Sequence, residues 1–279
     1  MSDTTDHDQY AVFGNPITHS KSPLLHSAFA KQTHQSLIYN AQCIALDQFA
    51  HEANRFFQSG GKGLNVTVPF KEEAFQLADQ LSAEATIAGA VNTLISQGDG
   101  TILGDNTDGK GMVKDIKQHL TWPIKNKRVL LLGAGGAIKG VLHPLIMEQP
   151  HSIVIANRTA SKAVALANHF SEYFSAIEGI GLSSIGDASF DIIINGTSAS
   201  LSGDLPDIPS SIFTGNSCCY DMMYSKDLTP FLLWCQQNGV SHLSDGLGML
   251  VCQGAESFFL WRGIRPETQP VITQLRQHL

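Results

Sequence analysis

Short apolar runs and amphipathic segments alternate along the first part of the chain. The runs YAVFG, SLIYNAQCIAL and LNVTVPF have the length and the β-branched and aromatic content of strands. Helical spacing of apolar residues predicts helices between them, and the first is expected to open with Ser22 as its N-cap and Pro23 at its first position. KEEAFQLADQLSAEATIAGA predicts one further helix that ends near Gly89. Two short strands around a Gly-Asp-Gly turn complete an α/β unit with a largely parallel sheet.

The pattern changes at the run RVLLL. RVLLLGAGGAIKGVLHPLIMEQ predicts a continuous apolar strand, a glycine turn and a helix, and HSIVIANRT with ASKAVALANHFSE predicts a second strand and helix. FDIIINGTS, SCCYDMMY and GVSHL predict three more strands, and the last part of the chain predicts two helices. This half is therefore expected to form a second α/β domain.

The composition is that of a folded protein of one or two domains, with 279 residues, 43% of them hydrophobic and 15% charged. The net charge, 18 − 25 = −7, argues against a nucleic-acid partner. The N-terminal segment MSDTTDHDQ lacks the basic start and apolar centre of a signal peptide, and we expect it to be frayed. No apolar run reaches the length of a membrane span, so we expect no membrane partner.

The cysteines and histidines show no metal-binding pattern. The cysteines are odd in number and contain no CxxC pair, which fits a reducing, cytoplasmic location without a disulfide framework or zinc site. Buried structural thiols are the expected role, with a reactive cysteine as the alternative. The eleven histidines form no HExxH motif and no tight cluster, so no metal is expected.

Polar side chains surround the end of the predicted strand LNVTV. Asn65 and Thr67 alternate with its apolar residues and share one face, and Lys71 follows just after Pro69. One interpretation is a solvated strand end. The other is a binding site, because ligands of open α/β sheets bind outside the carboxyl ends of the strands. The segment THSKS also follows a predicted strand, which favours the second interpretation.

The segment VLLLGAGGAIKG has the strand, glycine turn and helix of a dinucleotide-binding motif. Gly133 allows the tight turn, and Gly135 lets backbone amides approach a pyrophosphate at the helix N-terminus. The third small position of the motif is occupied by Ile138, and we expect Gly136 or Gly140 to relieve its packing. The alternative is an ordinary turn of an α/β domain.

The end of the next strand indicates which dinucleotide binds. An NAD enzyme typically carries a carboxylate there for the ribose hydroxyls, whereas this chain has Asn157, Arg158 and Thr159, with Lys162 one turn later. A guanidinium is suited to a 2′-phosphate through a planar, charge-assisted contact. The sequence therefore predicts NADP as the cofactor.

The chain resembles the shikimate/quinate dehydrogenase family. The motifs that carry the resemblance lie in order along nearly the whole chain: VFGNPITHSKSPLLH, GLNVTVPFKEE, GAVNTL, GDNTDG, LLGAGGA, ANRT, NGTS, YDMMY and DGLGMLVCQGAESF. The resemblance implies two α/β domains with the active site in the cleft between them. It implies a substrate-binding catalytic domain of residues 1–107 plus 245–279 and a Rossmann-like NADP-binding domain of residues 108–244.

The resemblance also implies the roles of individual residues. Lys71 and Asp108 are implied as the catalytic pair. The implied substrate-binding residues are Ser20, Ser22, Asn65, Thr67, Asn92, Tyr220 and Gln253. The implied cofactor-binding residues are Gly133, Ala134, Gly135, Gly136, Ala137, Asn157, Arg158, Thr159, Lys162 and Gly246. Family members often carry Arg where this chain has Lys162, which keeps the charge and loses the planar fork.

The activity implied by the resemblance is the reversible NADPH-linked reduction of 3-dehydroshikimate to shikimate, by a monomer or homodimer. Two alternatives stay open: a quinate/shikimate dehydrogenase that prefers NAD, and a non-catalytic NADP-binding regulatory module on the same fold. The segment NRT argues against the first alternative. The presence of both Lys71 and Asp108 argues against the second, because a sensor has no need of them.

Overall fold

The computed structural model of the chain describes residues 7–197, 205 and 207–279. These residues form two compact units. Unit 1 runs to Gly111 and again from Val251 to His278, and unit 2 runs from Met112 to Leu250. Most of the segment expected to be frayed lies outside the described residues, and Asp8 and Gln9 at its end belong to the first strand.

Unit 1 contains a six-stranded sheet in the order β2-β1-β3-β5-β6-β4. Its strands are β1 (Asp8–Gly14), β2 (Leu37–Cys43), β3 (Gly63–Val66), β4 (Gln80–Leu81), β5 (Thr93–Ser96) and β6 (Ile102–Asp105). β1 pairs in parallel with β2 and β3, and β4 pairs in parallel with β6. β5 runs antiparallel to β3 and β6. The sheet is therefore mixed, and its β2-β1-β3 part is parallel as expected.

Successive residues of β1 point to opposite faces of the unit 1 sheet, and both faces are buried there. Ala11 and Phe13 belong to one hydrophobic cluster, whereas Tyr10 and Val12 belong to another. Strand side chains point to opposite faces in turn, so one short strand contributes to both clusters. The sheet is thus covered on both sides along β1, and its polar strand ends are where a site can form.

The helices of unit 1 lie between its strands and at its C-terminal end. They are α1 (Ser22–Gln32), α2 (Phe49–Gln58), α3 (Lys71–Leu77), α4 (Ala83–Ala88), α5 (Asp108–Lys114), α9 (Leu247–Arg262) and α10 (Gln269–Arg276). The two divisions between the units fall inside α5 and α9, a few residues beyond the boundaries expected from the sequence.

Two expectations about these helices were wrong. Ser22 is the first residue of α1 and not its N-cap, which is Lys21. The single helix expected after Lys71 is broken into α3 and α4 by the short strand β4. The break follows from hydrogen bonding: Asp79 exchanges two bonds with Ile102 at 2.8 and 2.9 Å. Ser82 then starts α4 as a true N-cap, because its Oγ accepts from the Ala85 amide at 3.1 Å.

Unit 2 contains a second six-stranded sheet, in which every pairing is parallel, in the order β12-β11-β10-β7-β8-β9. Its strands are β7 (Arg128–Leu132), β8 (Ser152–Asn157), β9 (Ile177–Gly181), β10 (Phe190–Asn195), β11 (Phe213–Asp221) and β12 (His242–Asp245). The residues of β7 from Val129 to Leu132 are fully buried, as a central strand with both faces covered requires.

The described helices of unit 2 include α6 (Gly136–Met147), α7 (Ala160–Phe170) and α8 (Pro230–Gln237). α5 continues as a π-helix over Asp115–His119, and short 3₁₀ turns span Leu182–Ser184 and Ser210–Ile212. β9 and α8 were missed by the sequence pattern. β9 is interrupted by two glycines, and the backbone of Gly179 approaches α7 so closely that an added Cβ would lie 2.5 Å from the Val164 nitrogen.

Each cysteine of the chain is free: Cys219, Cys235 and Cys252 are buried, and Cys218 is partly buried. Cys43 is exposed, so the expectation of buried thiols does not hold for it. Among the described residues, the helices are too short or too polar to span a membrane.

Candidate functional site

The carboxyl ends of β1 and β3 lie side by side in unit 1. The Asn15 amide donates to the Val68 carbonyl at 3.0 Å, and the Thr67 amide donates to the Phe13 carbonyl at 3.0 Å. Thr67 lies one residue past the end of β3 and is partly buried, and the face that it was expected to share with Asn65 stays a prediction. Lys71 then begins α3.

Lys71 and Asp108 form an ion pair within unit 1. The Lys71 Nζ lies 2.5 Å from Asp108 Oδ2, with 29% and 13% of the two side chains exposed. Lys71 stands at the start of α3 and Asp108 at the start of α5, so both side chains project from the first turn of a helix. This arrangement keeps an ammonium group partly accessible next to a carboxylate, as proton transfer to a bound ligand requires.

Asn92 holds the other oxygen of the same carboxylate. Its Nδ2 donates to Asp108 Oδ1 at 2.8 Å, and its Oδ1 accepts from the Thr107 amide at 2.9 Å. Asn92 immediately precedes β5 and is 3% exposed. Asp108 is therefore oriented by Asn92 on one side and bound by Lys71 on the other.

Gln253 reaches this cluster from α9. Its Oε1 accepts from Asn92 Nδ2 at 3.3 Å and from Thr107 Oγ1 at 3.4 Å. α5 and α9 touch closely at this level, because an added Cβ on Gly111 would lie 2.6 Å from the Gln253 backbone nitrogen. A residue distant in sequence is thereby brought beside Asn92, and the expected contact of Gln253 with the substrate stays a prediction.

Asn65 lies in β3 and is only 6% exposed. Its Oδ1 accepts from the Tyr39 hydroxyl at 2.7 Å, and its Nδ2 donates to Ser257 Oγ at 3.0 Å and to the Asn92 carbonyl at 3.2 Å. Protein groups thus occupy both ends of the amide. The structure joins Asn65 to the Asn92 cluster, and its expected contact with the substrate stays a prediction.

Ser20 and Ser22 lie in the loop between β1 and α1 and at the start of α1. The Ser22 amide donates to Ser20 Oγ at 3.3 Å, and the Ser20 amide donates to the Ile17 carbonyl at 3.0 Å. Ser20 is partly exposed, whereas Ser22 is 8% exposed. The Ser20 hydroxyl therefore lies beside the Ser22 backbone, at the same end of the sheet as Thr67.

His26, on α1, is buried in unit 1 beside Tyr39. Its ring stacks on Tyr39 with 4.2 Å between centroids and an interplanar angle of 9°. Burial lowers the pKa of His26 from 6.5 to about 3, with a smaller opposing effect of Asn65. Its Nδ1 has no hydrogen-bond partner. The ring is therefore neutral near pH 7 and supports Tyr39 by packing.

The glycine turn of unit 2 is open where a dinucleotide motif requires space. Gly133 has φ of +106°, which favours glycine, and its amide donates to the Ala156 carbonyl at 2.8 Å. An added Cβ on Gly135 or Gly136 would meet no atom within 4 Å, and residues 135–137 are exposed. The free amides of the first turn of α6 face this open loop, which fits a bound pyrophosphate.

The end of β8 carries the basic residues expected to bind a 2′-phosphate. Arg158, Thr159 and Lys162 are exposed, and the Asn157 Nδ2 donates to the Thr159 carbonyl at 2.9 Å. No carboxylate stands at this strand end. The donor set therefore fits the phosphate of NADP better than the ribose hydroxyls of NAD.

Gly246 is buried and lies against the β11–α8 connection. Its amide donates to the Met223 carbonyl at 3.0 Å, and an added Cβ would lie 2.7 Å from the Met222 carbonyl carbon. The structure thus gives Gly246 a packing role, and its expected contact with the cofactor stays a prediction.

Family models match the chain in three consecutive segments. Residues 12–94 match the shikimate dehydrogenase substrate binding domain, residues 114–202 match shikimate / quinate 5-dehydrogenase, and residues 246–276 match the shikimate 5′-dehydrogenase C-terminal domain. The shikimate dehydrogenase (NADP(+)) of Cellvibrio japonicus is 57% identical over 98% of each chain. The chain belongs to the shikimate dehydrogenase family.

Solved structures agree with this membership of the shikimate dehydrogenase family. The Ael1 enzyme of Pseudomonas putida superimposes with a TM-score of 0.91 at 46% identity, covering 96% of this chain and 98% of that one. Shikimate 5-dehydrogenase of Thermus thermophilus, solved with NADP(H) and shikimate, gives a TM-score of 0.86 at 29% identity over 98% and 100% of the chains. The two-domain α/β fold expected from the sequence is thereby confirmed.

The family motif YDMMY contains two tyrosines, and the structure separates them. Tyr220 lies inside β11 with no exposed surface, and its hydroxyl donates to Asp115 Oδ2 at 2.8 Å. Burial raises the pKa of Asp115, and the hydrogen bonds from Tyr220 and His119 partly oppose that shift. Tyr224 follows the carboxyl end of β11 and is partly exposed. The structure therefore offers Tyr224, and not Tyr220, as a ring that a ligand can touch.

Three buried residues of the polar cluster were missed by sequence reasoning: Tyr39, Thr93 and Ser257. Thr93 and Ser257 have no exposed surface, and their hydroxyl oxygens lie 2.7 Å apart. A signal existed in the sequence, since Thr93 follows Asn92 in the family segment GAVNTL and Ser257 lies one helical turn after Gln253.

Proposed function

We propose that this chain catalyses the reversible NADPH-linked reduction of 3-dehydroshikimate to shikimate. The observation that carries the proposal is the Lys71–Asp108 ion pair at 2.5 Å, held by Asn92 within the substrate-binding unit of a shikimate dehydrogenase. A non-catalytic module has no use for an ammonium group kept partly exposed beside an oriented carboxylate. The enzyme is accordingly an NADP-dependent oxidoreductase that acts on a CH–OH group.

Lys71 transfers the proton and stabilises charge on the reacting oxygen. During reduction, negative charge develops on the carbonyl oxygen of the substrate, and the Lys71 ammonium donates a hydrogen bond and then a proton to it. Asp108 orients the amine and accepts a hydrogen bond from the neighbouring substrate hydroxyl. NADPH supplies the hydride when it is bound. The reverse reaction uses neutral Lys71 as the base for the shikimate hydroxyl.

The remaining polar residues of unit 1 bind the substrate. Ser20 and Ser22 hold the carboxylate through their hydroxyls, and Asn65, Thr67, Asn92 and Gln253 bind the ring hydroxyls. A substrate with several hydroxyls needs one partner for each after desolvation, which suits this set of side chains. We assign the contact between a tyrosine ring and the ligand to Tyr224 in place of Tyr220, because Tyr220 has no exposed surface.

The cofactor residues lie in unit 2. Residues 133–137 hold the pyrophosphate against the N-terminus of α6, and Arg158 holds the 2′-phosphate with Asn157, Thr159 and Lys162 around it. We further propose substrate binding by residues 1–107 plus 245–279 and cofactor binding by residues 108–244. A monomeric or homodimeric state and a cytoplasmic location stay predictions.

The proposal is tested by adding 3-dehydroshikimate to purified protein and NADPH and following absorbance at the nicotinamide band. We expect the absorbance to fall with turnover typical of enzymes, on the order of 1–10³ per second. Quinate with NAD⁺ is the comparison for the quinate/shikimate alternative, and we expect it to react far more slowly. Cofactor binding without any turnover on either substrate pair would support the regulatory module instead.

A further inference from the structure

A chain of buried hydrogen bonds leads through unit 1 to the carboxylate of Asp108. We call its members the Thr93 network: Asn65, Ser257, Thr93, Asn92 and Asp108. Asn65 Nδ2 donates to Ser257 Oγ at 3.0 Å, the Ser257 and Thr93 hydroxyls lie 2.7 Å apart, and Thr93 Oγ1 donates to Asn92 Oδ1 at 2.9 Å. Asn92 Nδ2 then donates to Asp108 Oδ1 at 2.8 Å.

The orientation of the Asn92 amide follows from partners that have only one hydrogen-bonding role. The Thr107 backbone N–H, 2.9 Å away, can only donate, so it must face Oδ1. The ionised carboxylate of Asp108 can only accept, so it must face Nδ2. The side of Asn92 that faces Thr93 is therefore the acceptor, and Thr93 must supply the proton of that hydrogen bond.

The same reasoning fixes the direction of the bonds at the far end of the network. Asn65 Nδ2 lies 3.2 Å from the Asn92 carbonyl oxygen, which can only accept. Asn65 Oδ1 is then the acceptor for the Tyr39 hydroxyl at 2.7 Å. With its own proton given to Asn92, Thr93 Oγ1 accepts from Ser257. From Thr93 onward the donors of the network point toward Asp108, and Ser257 Oγ has the Gln253 carbonyl, at 3.2 Å, as a second acceptor.

Burial makes each of these bonds costly to lose. Thr93 and Ser257 have no exposed surface, and Asn92 is 3% exposed, so water does not replace a missing donor. Removing the Thr93 hydroxyl removes one of the hydrogen bonds that fix the orientation of the Asn92 side-chain amide. Asn92 Oδ1 then keeps only its bonds from the Thr107 amide and hydroxyl, at 2.9 and 3.2 Å. The Asp108 oxygen that Asn92 holds is less tightly fixed, and so is the oxygen paired with Lys71.

We propose that Thr93 is a positioning residue for the catalytic pair, acting through Asn92 on Asp108 and thereby on Lys71. Thr93 itself touches no ligand, because it is enclosed between Asn92, Asn65 and Ser257. The role rests on the proposed function, in which the Lys71 ammonium must meet the reacting oxygen in a defined geometry. Small displacements of such a group slow the chemical step without weakening a cofactor that binds elsewhere.

The experiment compares Thr93→Val, which keeps the shape and removes the hydroxyl, with Thr93→Ser, which keeps the hydroxyl. We measure kcat for shikimate oxidation at saturating NADP⁺, the dissociation constant of NADP⁺, and the melting temperature. We expect Thr93→Val to lower kcat about tenfold with NADP⁺ affinity unchanged, the effect of losing one buried hydrogen bond in the transition state. Thr93→Ser restores kcat to within about twofold of wild type.

Thr229→Val is the matched control. Thr229 is a buried threonine whose hydroxyl donates to Asp221 Oδ2 at 2.6 Å, in unit 2 and outside the Thr93 network. We expect it to lower the melting temperature and leave kcat unchanged. If Thr93→Val behaves like Thr229→Val, or if Thr93→Ser is as slow as Thr93→Val, the positioning role is wrong.

Ser257→Ala keeps the proposal testable if Thr93→Val does not fold. It removes the donor to Thr93 one step further from Asp108, and we expect kcat to fall about threefold with NADP⁺ affinity unchanged. Wild-type kcat for a folding Ser257→Ala would overturn the proposal in that case. Failure of the proposed function is distinguishable, because the wild-type protein itself would then not oxidise shikimate.

Discussion

Gly196 at the end of β10 makes room for Ile138 in the first turns of α6. An added Cβ on Gly196 would lie 2.7 Å from Ile138 Cγ1 and closer still to Cδ1. Ile138 has no exposed surface and occupies the position where the dinucleotide motif usually has a small residue. The relief expected from Gly136 is not found, because an added Cβ on Gly136 would meet no atom within 4 Å. Gly196, one residue past β10, therefore supplies a small residue at this contact, and relief by Gly140 stays a prediction.

Gly196→Ala is expected to destabilise the protein by about 1–3 kcal/mol, because the new methyl group overpacks a filled core. Ile138→Ala in the same chain removes the atoms that clash. The loss in the double variant should therefore be at least about 1 kcal/mol smaller than the sum of the single losses. Urea unfolding measures all three variants. Gly215→Ala is the control, since its Cβ would meet no atom within 4 Å; additive losses would contradict the packing relationship.

Arg158→Ala is expected to weaken NADP⁺ binding about tenfold to hundredfold, which corresponds to about 1.5–3 kcal/mol for a charge-assisted contact. NAD⁺ lacks the 2′-phosphate, so its binding should change little. Lys162→Ala should have a smaller effect on NADP⁺, because an ammonium group lacks the planar fork. Fluorescence titration with both cofactors checks this. Equal losses for NADP⁺ and NAD⁺ in Arg158→Ala would refute the assignment of the phosphate site.

His26 should make the protein less stable as the pH falls below 6.5. Burial lowers its pKa in the folded state to about 3, so the unfolded chain binds a proton between these values that the native state does not. Unfolding free energy is therefore lost on acidification, by about 1 kcal/mol from pH 7 to 5.5 for this group alone. Urea unfolding at the two pH values should show a smaller loss in His26→Gln than in wild type.

The control for His26 is His51→Gln, which changes an exposed histidine on α2. Its loss of stability between the two pH values should equal that of the wild-type protein. The same pH dependence in His26→Gln and wild type would show that His26 is not held neutral by burial.

The positions of β1, β3 and β7 could be predicted because they depend on local signals. Apolar runs mark β1, β3 and β7, and the polar residues that follow β3 predict a site at its carboxyl end. Asp108 was expected beside Lys71 on the strength of the resemblance, and the structure pairs them. The break between α3 and α4 escaped prediction, because it depends on Asp79 bonding to a strand more than twenty residues away.

The internal role of Asn65 could not be predicted from spacing. Alternation in LNVTV gives Asn65 and Thr67 one face, but it does not show that the Asn65 amide bonds to Tyr39 on β2 and to Ser257 on α9. Deciding whether Tyr220 or Tyr224 can contact a ligand likewise required knowing which of the two side chains is buried. Side-chain partners from distant segments are decided by tertiary packing, which a single sequence does not display.

The central claim is that Lys71 transfers the proton in this reaction. We expect Lys71→Ala to lower kcat for shikimate oxidation by about 10²–10⁴-fold, the size of a general acid–base contribution. NADP⁺ affinity should stay near wild type, because the residues expected to bind the cofactor lie in unit 2. The melting temperature should fall by the cost of leaving Asp108, which is 13% exposed, without its ion-pair partner. Lys71→Arg should not restore turnover, because a guanidinium does not release its proton near neutral pH.

The most direct measurement is the single-turnover rate of Lys71→Ala, with the enzyme in excess of shikimate, NADP⁺ at saturation and NADPH formation followed by stopped flow. This isolates the steps up to and including hydride and proton transfer from product release. A rate reduced by about 10²–10⁴-fold, with the dissociation constant of NADP⁺ unchanged, is the result that the account predicts. A rate within about twofold of wild type would contradict it and leave Lys71 as a solvated charge at the end of β3.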